Sequence, residues 1–230
     1  MKRLVSKFGT IMGERSLQKL GGLSAILEAL IYISAFVVYG GVLVYPDTDA
    51  SAQEHLNFLE DNQFILSLLN FTSYVLFGIV LVVLVLALHH RFKKEDPILS
   101  KMASVFGYVW VGLVVASGMI ANIGLSSVIG MGESHPVKAM HVFSSVNIVT
   151  EGLGGGNEII GGLWVLLVSI MGLRGKQIPK GISILGLVVA IAGILTVYPL
   201  DIFKEIFGLG QIIWFLAIGI ALLRKPSLAS

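Results

Sequence analysis

Six stretches of this chain, roughly residues 20–45, 64–90, 99–129, 157–173, 180–199 and 202–223, are apolar over lengths that a water-soluble fold rarely carries in series. A hydrocarbon core about 30 Å thick takes about 20 mostly apolar residues to cross as a helix. The backbone finds no water there, so each crossing must satisfy its hydrogen bonds within itself. The series therefore predicts an all-α integral membrane bundle of six transmembrane helices, multi-pass in a bacterial-type cytoplasmic (inner) membrane. Composition agrees. Of the 230 residues, 55% are hydrophobic and 13% charged, about half the roughly 25% charge of a soluble domain.

The charges that remain set the orientation. With the amino terminus inside, fourteen of the sixteen Lys and Arg fall on the cytoplasmic side, and only Lys138 and Lys204 lie outside. Were residues 136–151 to cross as well, the split would be ten to six. The positive-inside rule selects six spans with both termini cytoplasmic. Residues 1–19 then form an amphipathic cytoplasmic segment, with Leu4, Phe8, Ile11 and Met12 on one face among Lys2, Arg3, Lys7, Arg15 and Lys19, the pattern of an interfacial helix. Residues 20–224 form the six-span domain and 225–230 a cytoplasmic tail. The basic flanks, including His89 and His90 beside Arg91, Lys93 and Lys94, imply anionic lipid headgroups as partners at that face.

Helix boundaries are written between the spans. Asp96 with Pro97, Pro179, and Pro199 with Asp201 precede the third, fifth and sixth, because proline is well placed in a first helical turn. Outside, Ser51 and Glu54 have the spacing of a capping box for a short surface helix. Ser134 and Pro136 start another, expected to lie on or dip into the outer face as far as Glu151.

The least ordinary stretch is 147–164, where Glu151, Glu158 and the glycines 152, 154, 155 and 156 interrupt an apolar sequence. Glycine inside a helix costs about 1 kcal/mol relative to alanine, so a Gly-rich break before the fourth span is expected. In the plainest reading Gly152 caps one helix and Asn157 starts the next, with Glu158 in its first turn. In the functional reading, unwound backbone beside Glu151, Asn157 and Glu158 forms an ion or solute site. Glu28, about eight residues into the first span, is an intramembrane carboxylate and so a functional candidate. Asn70 in the second span and Asn122 in the third are candidates to line a path, or else interhelical hydrogen-bonding groups.

Other chemistry finds less support. Cysteine is absent, which removes thiolate nucleophiles and Cys-ligated metals. His55, His135 and His141 sit in separate outer segments without metalloprotease spacing, and no span carries a central histidine to ligate haem. No strand and no Lys-hydroxyl pair flank the glycines as in a phosphate loop. The expectation is no catalytic residues, no cofactor, no metal and no nucleic-acid partner. The leading functional reading is small-solute or ion/proton handling through a polar intramembrane pocket. Its alternative is a noncatalytic membrane partner or sensor whose polar core is purely structural.

At Glu158-Ile-Ile-Gly161-Gly162-Leu-Trp164, then Gly172, Pro179, Gly181 and Ile184-Leu185-Gly186, and again from Gln211-Ile-Ile-Trp214-Phe215 through Gly219 to Leu222-Leu223-Arg224, the sequence resembles a bacterial family of multi-span membrane proteins known only as domain of unknown function 4386. The likeness runs from about Gly21 to Arg224. It implies an integral membrane protein of six or seven helices, and brings no established activity or cofactor with it.

Overall fold

The computed structural model describes residues 13–198 and 200–224. Most of the 1–19 segment, Pro199 and the 225–230 tail lie outside the described residues. The secondary structure among the described residues is helical throughout. In chain order the α-helices are α1 (Glu14–Val37), α2 (Ala52–Asp61), α3 (Gln63–Asn70), α4 (Phe77–Phe92), α5 (Pro97–Gly132), α6 (Pro136–Thr150), α7 (Ile159–Arg174), α8 (Lys180–Leu195) and α9 (Asp201–Arg224). Three wider, π-helical turns interrupt them at Val38–Val42, Phe71–Leu76 and Glu151–Gly155.

Among the described residues, five helical stretches are long and apolar enough to cross a membrane: Ser16–Val42, Gln63–Phe92, Pro97–Gly132, Pro136–Arg174 and Asp201–Arg224. Residues 14–19 are thus the first turns of a helix that continues into the first apolar stretch. The expected fifth span is shorter than its apolar sequence. Its helix covers Lys180–Leu195, 16 residues, and rises about 24 Å, because Thr196, Val197 and Tyr198 leave the helix in turns.

The chain divides into two compact units. Of the described residues, the first comprises those within 13–30, 80–110 and 158–224, the second those within 31–79 and 111–157. In the first unit, α7 and α8 approach through Gly162, where an added methyl would meet the Ala190 carbonyl at 2.8 Å and the Ile194 nitrogen at 2.9 Å. Small residues are what permit such contact between membrane helices, where lipid provides no hydrophobic drive to associate. The amino-terminal part of α1 meets the end of α9 in the same way, Gly22 lying on the Gly219 carbonyl. The Gln18 Nε2 donates to the Leu222 carbonyl at 2.6 Å. All three tryptophans of the chain are buried here. Trp110 and Trp164 lie 5.7 Å apart between ring centroids, and Trp164 and Trp214 5.6 Å apart, edge to face, an arrangement aromatic quadrupoles favour.

The connections 91–96 and 174–177 of this unit are bonded to each other. Arg91 donates to the Gln177 carbonyl through Nε at 3.1 Å and Nη2 at 2.7 Å. Gln177 Nε2 donates in turn to Glu95 at 2.8 Å, and Arg174 pairs with Asp96 at 3.5 Å. Asp96 also accepts from the Leu99 N–H at 3.2 Å, which starts α5 at Pro97 as its sequence predicts.

In the second unit, the Ser51 and Glu54 spacing forms its capping box. Glu54 Oε2 accepts from the Ser51 N–H at 2.7 Å, and Ser51 Oγ accepts from the Glu54 N–H at 3.3 Å. These bonds hold the Glu54 carboxyl below its ordinary range. The helix so started, α2, buries Leu56 and Leu59 with Leu125 and Val128 of α5 and Ala139 of α6. Pro136 opens α6, which runs 15 residues, about 22 Å, straight into the π turn at Glu151.

Candidate functional site

The three π turns share a feature that their sequences do not announce. Each contributes side chains to one cavity of about 540 Å³ in the second unit: Tyr39 from the first, Tyr74 from the second, Glu151 and Gly155 from the third. A π turn places an extra residue in the helical ladder and shifts the side chains that follow it, and such turns recur at functional sites. The remaining walls come from the 45–48 connection and from His55, Phe58, Asn70 and Asn147, among others. Tyr45 stacks at a tilt on Phe58, with ring centroids 5.1 Å apart, and burial pushes its phenol above the usual value.

Hydrogen bonds to backbone and side chain fix this framework. Asn70 Nδ2 donates to Asn122 Oδ1 at 3.3 Å, and Asn122 Nδ2 to the Ser67 carbonyl at 3.3 Å. Asn70 thus borders the cavity while Asn122 braces it from behind. Gly118 brings α5 against Tyr74, so that a methyl there would meet the Tyr74 Cβ at 2.6 Å and the Asn70 carbonyl at 3.0 Å. Below the third π turn, Ser117 Oγ donates to the Thr150 carbonyl at 3.1 Å.

The glycine-rich stretch differs in detail from its sequence expectation. Gly152 is not the residue with unusual backbone. Gly154 has φ +157°, and among the described residues it is the one with positive φ. It lies against Val114, where a Cβ would sit 3.2 Å from a methyl. The Gly156 and Asn157 N–H groups both donate to the Glu151 carbonyl, at 3.2 and 3.0 Å. Helix α7 begins at Ile159, and the N–H of Glu158 just before it donates to Thr196 Oγ1 at 2.8 Å.

Glu158 and Glu28 lie in the first unit, apart from the cavity-lining set. The Glu158 carboxylate accepts from the Trp110 indole N–H at 3.1 Å at the edge of the tryptophan cluster. Glu28 is fully buried, and neither carboxylate oxygen has a hydrogen-bond partner among the described residues. Gln211 of α9, in the same unit, is buried with its amide oxygen and nitrogen likewise unpartnered. The six sequence candidates therefore fall into separate groups. Asn70 and Glu151 line the cavity, Asn122 bonds Asn70 without lining it, Asn157 follows the third π turn in the chain, Glu158 joins Trp110, and Glu28 has no hydrogen-bond partner among the described residues. Sequence reasoning missed Tyr39, Tyr74 and Asn147. Their signal was a polar tip within an apolar run, which the same reasoning used for Asn70 and passed over for tyrosine. No group of three or more His, Asp or Glu able to hold a metal occurs among the described residues.

An all-helical chain with five apolar helices of spanning length, enclosing polar side chains in its interior, defines a class, that of multi-pass helical membrane proteins. Within that class the chain belongs to the family described as Domain of unknown function (DUF4386), whose model matches residues 20–225. No curated protein and no solved structure matches the chain.

Proposed function

We propose that this protein handles a small solute or ion, with protons as the coupled or transported species at Glu28. The observation that carries the reading is the convergence of three π turns on one cavity whose largely apolar wall carries Asn70, Asn147, Glu151 and three tyrosines. Each turn gives up regular α-helical hydrogen bonding, and a purely structural polar core has no need of three such turns around an open space. The carboxylate at Glu28, buried and without a hydrogen-bond partner among the described residues, points the same way. A side chain that only held helices together would be found hydrogen-bonded to one of them.

The topology that goes with this reading is six spans with both termini cytoplasmic, the fourth beginning after the glycine-rich stretch. Contacts within the first unit support it. Gln18 at the start of α1 bonds Leu222 at the end of α9, as an even number of crossings requires. Gly21 lies on Ala87 near the end of α4, and Arg91 and Asp96 bond the 174–177 connection. The basic clusters thus gather at one end, which suits the anionic headgroups of an inner-membrane cytoplasmic face. A crossing by 136–151 would send the 91–96 and 174–177 connections to opposite faces.

The reading is tested by solvent access. The chain contains no cysteine, so single replacements at Asn147 and Tyr74, in protein reconstituted into liposomes, report their own reactivity. A membrane-impermeant thiol reagent should label both from the outer side, and leave a cysteine at the fully buried Val128 unreacted. Cavity cysteines as inert as the Val128 control would remove the pocket and the proposal with it.

A further inference from the structure

Resting on the solute-pocket reading above, we infer that the cavity of the second unit selects a small organic ammonium cation. Its lining contains one carboxylate, Glu151, and neither lysine nor arginine; His55 is the single lining group able to take a positive charge. Three tyrosines, Tyr39, Tyr45 and Tyr74, and Phe58 supply aromatic rings from separate segments. The negative face of such rings attracts a cation, and alkylammonium groups are the ligands that aromatic cages recognise. A volume of about 540 Å³ lies in the ordinary range for small-molecule pockets, about 300 to 1,000 Å³.

A bare metal ion fits this lining poorly. Calcium takes about six to eight oxygen ligands, and magnesium keeps water unless carboxylates converge. Glu151 is the one carboxylate in the lining, and no metal-holding cluster occurs among the described residues. A weakly hydrated alkylammonium group needs no such shell. It can leave water for ring faces with one carboxylate to balance its charge. An anionic solute would meet the Glu151 carboxylate in a lining that holds no lysine or arginine.

The test is calorimetric titration of the full-length protein in lipid nanodiscs with choline and with 3,3-dimethylbutan-1-ol, which replaces the quaternary nitrogen by carbon and keeps the shape. Choline should bind saturably and the alcohol at least about tenfold more weakly. Glu151→Gln and Tyr74→Leu should each weaken choline by about tenfold, while Tyr74→Phe, which keeps the ring, should bind nearly as the native protein does. Circular dichroism and a native-like melting curve in each variant separate lost binding from lost folding. Equal binding of the two probes, both lost in Tyr74→Leu, would overturn the cation assignment and leave a neutral-solute pocket standing. Absence of any choline binding at millimolar concentration would overturn it too, and the cysteine-access result then decides whether the pocket reading survives.

Discussion

Replacing Glu28 by leucine should make this protein more stable and less functional. Were Glu28 bonded to a neighbouring span, to Asn122 for example, leucine would strand that partner and lower stability. In the structure Asn122 is engaged with Asn70 and Ser67, and Glu28 is fully buried with both oxygens unpartnered among the described residues. Leucine therefore leaves no group stranded. Burying a polar group without a hydrogen bond costs roughly 1 to 3 kcal/mol on mutational scales, and Glu28→Leu recovers about that amount. For a chain of this size, about 2 to 4 °C of melting temperature accompanies each kcal/mol, so the rise should be about 2 to 12 °C in detergent or nanodiscs. Glu28→Gln keeps a buried polar group and should change stability by less than about 1 kcal/mol. Proton flux into liposomes, followed with an internal pH-sensitive dye, should vanish in both variants, since neither side chain can bind and release a proton. A leucine variant that melts several degrees lower would refute the reasoning, because it would mean that Glu28 holds a hydrogen bond whose loss strands its partner. Unchanged flux in both would separate Glu28 from function altogether.

Further expectations follow from packing, topology and electrostatics. Gly161→Ala would press a methyl to 2.6 Å from the Trp110 indole, and this overpacking should cost about 1 to 3 kcal/mol; Gly112→Ala, with nothing within 4 Å, should gain up to about 1 kcal/mol from helix propensity, both read by thermal melts. Cysteines at 93 and 176 should react only from the cytoplasmic side and those at 50 and 135 only from outside; labelling of 176 from outside would end the six-span topology. The Glu54 carboxyl is depressed in the folded protein, so its support of α2 is fully present above the unfolded glutamate value of about 4.3 and is lost as pH falls through the lower folded value. Amide exchange across 52–61 should accelerate in that acid window, and Ser51→Ala should exchange faster at neutral pH and show a flatter acid dependence.

What the sequence announced and what it concealed divide along physical lines. Spans are set by free energies of transfer summed over about 20 residues, and no local detail reverses such a sum, so the apolar stretches reappear as helices. Caps are announced because a few specific atoms carry them. Ser51 with Glu54 and Asp96 with Pro97 do in the structure what their spacing predicts. The glycine-rich stretch was harder. Four glycines mark where backbone is free to turn, but which one takes positive φ depends on what packs there. Gly154 faces Val114 of α5, a neighbour 40 residues distant in the chain that local sequence cannot supply. The approach to α7 draws on distant chain in the same way, with Thr196 Oγ1 accepting from the Glu158 N–H.

The π turns concealed themselves most completely, and the reason bears on how such sites are found. The residues flanking the turn at Phe71–Leu76 keep helical backbone angles, Asn70 at φ −58°, ψ −41° and Phe77 at φ −52°, ψ −52°, so local propensity is the same with or without the extra residue. In a soluble amphipathic helix one inserted residue would rotate the apolar face by about 100° and break the periodicity visibly. A helix in lipid is apolar on every side, and nothing in its pattern records the shift. The inserted residue is then legible only through polar side chains whose spacing has no other purpose. Tyr39, Tyr74 and Glu151 lie far apart in sequence, and each falls within a π turn that opens on the same cavity. An isolated tyrosine or carboxylate in an apolar span is therefore better treated as a marker of local backbone widening, to be sought at a shared cavity, than as a residue to be explained by its own helix.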